Sequence, residues 1–108
     1  DCLPNRDSLV NALRAEGVPA LASGYQNIHL NPLFQNKIAY GTKSFPWVGL
    51  SEQKNNIKYS RGICPIAENL HENTFLGLSL CAHFYTKTEV NLIIQAFRKV
   101  WSNLDYLK

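Results

Sequence analysis

Apolar positions keep a helical period at one end of the chain and lose all period in the middle. Val90, Ile93, Ile94, Phe97, Val100, Trp101 and Leu104 recur at the i, i+3, i+4, i+7 spacing that puts side chains on one face of a helix. Thr86, with Glu89 three residues later, supplies a capping box and fixes where that helix begins. Just upstream, Phe75 to Cys81 is a nearly continuous apolar run, the length of a strand buried on at least one side. Before it, Cys64-Pro65 opens a short helix, because proline at the first helical position gives up only an N–H that would go unpaired.

At the other end, Leu9, Val10 and Leu13 give an apolar edge to a helix over Arg6–Glu16. Asn5 can cap its start and Gly17 can stop it. Val18-Pro19-Ala20-Leu21-Ala22 follows as a short extended segment, and Pro19 suits an edge position. From Ser23 to Arg61 no period holds. Gly24, Pro32, Gly41, Pro46 and Gly49 punctuate this stretch, and Tyr25, Phe34, Tyr40, Phe45, Trp47 and Tyr59 are spread along it. So long a connection in a small domain is usually functional or covered by a partner. The order helix, strand, long loop, helix, strand, helix predicts an α+β fold. Its sheet is small and antiparallel, of roughly two to four strands, with helices covering it.

Bulk properties narrow the function. The 108 residues make one domain, and 45% hydrophobic with 18% charged residues is a globular balance. The net charge of +3 is carried by scattered residues, among them Lys37, Lys43, Lys54, Lys58 and Arg61, so the basic groups read as a solvated surface and not as a nucleic-acid footprint. No apolar run approaches the ~18–20 residues of a membrane span. Cys2, Cys64 and Cys81 are odd in number and widely spaced, unlike a secreted disulfide framework. With no signal peptide and no glycosylation sequon, the expected compartment is the cytoplasm. There is no methionine, and Asp1-Cys2-Leu3-Pro4 leads straight into a helix start, so the chain is expected to be a piece of something longer.

Candidate chemistry is thin. His29, His71 and His83 with Cys64 and Cys81 match no zinc spacing. Cys81, ending a predicted buried strand, reads as a small hydrophobe. Glu68 and Glu72 flank His71, but carboxylates on a short surface helix are expected to be solvated or paired with Lys or Arg. Arg98 and Lys99 suit the C-terminal end of the last helix dipole. The best site candidate is Gly24 to Phe34, a loop carrying Tyr25, His29 and two asparagines directly after a strand. Read from its residues alone, the chain has no nucleophile–base pair, phosphate cradle or metal site, and looks non-catalytic.

Several segments nonetheless resemble, in order, the C-terminal small domain of the DegT/DnrJ/EryC1/StrS family of pyridoxal-phosphate-dependent sugar aminotransferases. Arg6 to Pro19 is similar to the family's R-D-x-L-x-x-A-L-R-A-E-G-I-P helix and strand. Gly24-Tyr25 through Asn31-Pro32 and Phe34 is similar to its G-Y-P-P-L-Y-x-N-P-x-F loop. Cys64 to Leu70 resembles C-P-x-A-E-x-L, and Ala96 to Trp101 resembles its closing helix. The family's paired prolines after Gly-Tyr are Gln26 and Asn27 here, and its common Leu-Pro is Leu78-Ser79. The resemblance implies the small domain of an aspartate-aminotransferase-like enzyme. That enzyme would move an amino group from glutamate or glutamine to a keto sugar, free or nucleotide-linked, or to a keto-cyclitol, and would form a homodimer. It implies pyridoxal phosphate held by a lysine of a large domain absent from these residues. It also implies Tyr25 and His29 as substrate-binding positions at the active-site mouth, with no catalytic residue in this chain. The alternative expectation is a free-standing binding module whose contact surface is the aromatics Phe45 and Trp47.

Overall fold

The structure is a computed structural model and describes residues 3–41, 43–48 and 57–108. They fall into two compact units: Asp1–Tyr25 with Leu70–Lys108, and Gln26–Asn69.

The first unit begins with α1, Arg6–Ala15. The Asn5 side chain accepts from the Ser8 amide at 2.8 Å, as a cap should. The helix ends in a Schellman motif. Gly17 sits at φ +84°, the Gly17 amide donates to Arg14 and the Val18 amide donates to Leu13, both at 3.0 Å. The two residues bracketing this stop, Leu13 and Val18, are both buried in the core, so helix termination and core packing are one device.

Strand β1, Leu21–Ser23, pairs antiparallel with β2, Leu76–Leu78, with Leu21 opposite Leu78 and Ser23 opposite Leu76. The expected strand over Phe75 to Cys81 is thus shorter than its apolar run. Its partner runs out: the last cross-strand bond goes from the Ser79 amide to the Ala20 carbonyl, Ala20 bends away at φ +53°, and Pro19 has no N–H to offer. The chain then makes a 3-10 turn over Leu80–Ala82, and Cys81 lies exposed in it instead of ending a buried strand. A π-helical turn, Leu70–Thr74, precedes β2.

Helix α4, Lys87–Trp101, starts at the predicted capping box: Thr86 accepts from the Glu89 amide, and the Glu89 carboxylate accepts from the Thr86 amide at 2.7 Å. Its inward stripe is Ile93, Ala96 and Val100, with Phe97 half-buried beside them. The expected apolar face was broader. Val90, Ile94 and Trp101 stay 36%, 42% and 50% exposed; among the described residues the core beneath α4 is small, drawn from α1, Val18, the two three-residue strands, Tyr85 and Leu107. Lys99 reaches Glu16 at 2.8 Å, an exposed pair of the kind that contributes little to stability.

The second unit is built differently. A 3-10 turn at Ile28–Leu30 leads into α2, Pro32–Gln35, where Asn31 caps and Pro32 occupies the first helical position. Helix α3, Pro65–Asn69, starts at the predicted proline. Aromatic rings supply the packing. Trp47 is only 7% exposed, meets Phe34 edge-on at 5.9 Å and donates from Nε1 to the Tyr59 hydroxyl at 2.9 Å. Trp47 is therefore a buried anchor and not the exposed contact residue expected of a binding module, whereas Phe45 is 51% exposed.

Candidate functional site

The two predicted substrate residues fall in different units. Tyr25 closes a segment of the first unit and is 74% exposed. His29 lies in the second unit with its side chain 11% exposed, and there the fold gives it a partner that spacing alone does not suggest.

That partner is Glu68, on α3. His29 Nε2 lies 2.8 Å from Glu68 Oε1, joining positions 39 residues apart. The expectation that Glu68 is a solvated surface carboxylate is incorrect: the residue is 7% exposed. On a five-residue helix no hydrophobic period decides which side faces in, and Ile66 is 78% exposed while Glu68 turns inward. Hydrogen bonds make that burial tolerable. The Gly62 amide donates to both carboxylate oxygens, at 2.8 and 2.9 Å, and the Cys64 amide adds a longer bond at 3.4 Å. Glu68 thus folds back over the start of its own helix. Cys64 contributes its amide, while its thiol is exposed.

His29 is also held by its main chain. The Gln35 side-chain amide donates to the His29 carbonyl at 2.7 Å and to the Tyr59 carbonyl. Asn31 and Pro32 start the short helix that aims Gln35 there. Sequence reasoning did not join Glu68 to His29, because no local spacing links positions 39 apart.

Burial alone would push the Glu68 carboxyl up. The bonds from His29, Gly62 and Cys64 outweigh it and hold the group below the ordinary glutamate value. A depressed folded-state value gives stability that is present above the unfolded value of about 4.3 and is lost as pH falls through the folded one. In thermal unfolding from about pH 7 to about pH 3, Glu68→Gln is therefore expected to melt below the wild type at neutral pH, with the gap closing below roughly pH 4. A gap that stays constant across the series would contradict an ionised, bonded Glu68. Glu89 is also lowered, by its hydrogen bonds with Thr86, so the variant keeps part of the acid sensitivity.

The other candidate groups do not converge. The His71 carbonyl accepts from Arg6 at 2.6 Å in the first unit, and His83 meets the Tyr85 ring edge-on. Among the described residues no three His, Cys, Asp or Glu side chains come together as a metal site. Nor is any helix among them long and apolar enough to cross a membrane. The first unit carries an open groove of about 500 Å³ against α4, floored by Val18, Ile93 and Ala96, but neither Tyr25 nor His29 lines it.

Pyridoxal phosphate asks for a pocket lysine and an acidic or arginine partner for its ring nitrogen. Among the described residues every lysine is exposed except Lys37. Lys37 lines a shallow pocket with Phe34, Ile57 and Tyr59 that holds no acid or arginine, so these residues do not fit the cofactor. Compared with family models, curated proteins and solved structures, the chain gives no match.

Proposed function

We propose that this chain is the C-terminal small domain of a longer, pyridoxal-phosphate-dependent aminotransferase of the DegT/DnrJ/EryC1/StrS kind. The parent would move an amino group from glutamate or glutamine to a keto sugar or keto-cyclitol, as a homodimer in the cytoplasm. The cofactor and its lysine belong to the rest of that protein. This domain lends His29 and Tyr25 to substrate binding and performs no amino transfer itself.

One observation supports the reading above others. The loop around His29 and the helix starting at Cys64-Pro65 are two of the four segments that carry the resemblance, and a buried 2.8 Å contact joins them. A chance likeness of two unrelated segments gives no reason for them to meet through polar groups that are costly to bury.

The test uses the full-length protein. It is expected to show the imine absorbance band of bound pyridoxal phosphate and to aminate a keto sugar with glutamate or glutamine as donor. A full-length protein that does neither overturns the proposal, and so does amino transfer by the 108-residue chain alone. The competing reading is a free-standing interaction module. It draws support from Tyr40 and Phe45, 71% and 51% exposed. A native gene product of 12.2 kDa favours the module, and one several times larger favours the aminotransferase.

A further inference from the structure

The Glu68 carboxylate meets three nitrogens. Oε1 faces His29 Nε2 at 2.8 Å and accepts from the Gly62 amide at 2.8 Å, with Cys64 at 3.4 Å, while Oε2 accepts from Gly62 at 2.9 Å. The Gly62 and Cys64 amides favour the charged form. An ionised carboxylate can only accept, so the ring nitrogen beside it must carry the hydrogen. Neutral imidazole has one donor nitrogen and one acceptor, which leaves the lone pair on Nδ1. Nδ1 has no hydrogen-bond partner among the described residues and is not among their buried, unpaired side-chain atoms. Gln35 fixes the His29 main chain by donating to its carbonyl at 2.7 Å.

We infer that Glu68 is a positioning residue that holds His29 as the Nε2–H tautomer, presenting Nδ1 as an acceptor for a hydroxyl of a polyhydroxylated ligand. A neutral acceptor lone pair suits an O–H group and opposes a phosphate or carboxylate oxygen. Only the class of ligand rests on the aminotransferase reading; the tautomer follows from the contacts around Glu68.

Long-range ¹⁵N–¹H correlation of the His29 ring in the 108-residue chain at neutral pH tests the first part. The expected spectrum has hydrogen on Nε2 and a well-separated, unprotonated Nδ1. An Nδ1–H ring, or one protonated on both nitrogens, overturns the inference. In Glu68→Gln the amide can also donate, and the Nε2–H preference is expected to weaken or reverse. An unchanged ring in a folded variant overturns it too; if the variant does not fold, the wild-type ring still decides. For the ligand, myo-inositol is expected to shift the His29 Nδ1 resonance and inorganic phosphate to leave it in place. A shift with phosphate, or with neither, removes the hydroxyl assignment. A parent that transfers amino groups with His29 in the other tautomer leaves the functional proposal standing and sinks this one; the expected ring in a parent without transaminase activity does the reverse.

Discussion

Leu13→Ala is expected to destabilise the chain by about 2–5 kcal/mol, read as a lowered midpoint in urea unfolding followed by far-ultraviolet circular dichroism. Leu13 is fully buried, at 0% exposure, and sits in a core of only a few residues with Val18, Ile93, Ala96 and Val100. Truncation removes its transfer energy and leaves a cavity that helix α1, held at both ends, cannot easily close. Leu13 is also the residue whose carbonyl receives the Val18 amide, so its side chain and main chain serve the same helix stop. Native proteins of this size have roughly 5–15 kcal/mol in total, so the loss is a large fraction of it. The comparison that gives the number meaning is Ile94→Ala on the outward side of α4. Ile94 is 42% exposed, and its truncation is expected to cost less than about 1 kcal/mol. If the two variants unfold at the same urea concentration, the assignment of Leu13 to the core and of Ile94 to the outward side of α4 is wrong.

What could be read from the sequence and what could not divide by distance along the chain. Asn5, Gly17, Thr86 with Glu89, and Pro65 act on backbone groups within a turn of themselves, so the helix limits they imply agree with the structure to within a residue. Asn31-Pro32 carries the same kind of cue, and α2 was missed only because four residues are too few to show a period. The strand after Phe75 could not be delimited from within. Its length is set by Pro19 and Ala20, far upstream, where the partner leaves the ladder. The fate of Glu68 is similarly non-local: His29 reaches it from 39 residues away, and the Gly62 amide reaches it from a loop. The loop of the candidate site was therefore legible, and the carboxylate that organises it was not. Trp47 shows the same limit, since only its meeting with Phe34 and Tyr59 turns an apparent surface aromatic into a core one.

Gly24→Ala should cost about 2–4 kcal/mol, although it adds a single methyl group at the sheet's edge. Gly24 continues the β1–β2 ladder by one bond, from its amide to the Phe75 carbonyl at 3.1 Å, and then turns the chain at φ +83°. Left-handed backbone of this kind costs an L-residue roughly 1–2 kcal/mol by itself. The larger difficulty is space. A Cβ on Gly24 would lie 2.5 Å from the His71 carbonyl oxygen and 3.0 Å from His71 Nδ1. That oxygen is a main-chain atom already held by Arg6 Nη1 at 2.6 Å, so it cannot yield without giving up a charge-assisted bond in a partly buried position. Gly17→Ala separates the two contributions. Gly17 has nearly the same φ, +84°, but nothing within 4 Å of the added carbon, so its variant should show the conformational cost alone. Thermal or urea unfolding of both variants against the wild type measures the difference, and equal losses would mean that close approach to His71 contributes nothing. Arg6→Lys provides the complementary check. Losing the fixed guanidinium frees the carbonyl to shift, so in that background Gly24→Ala should cost less than it does alone, a non-additivity expected of groups sharing one atom.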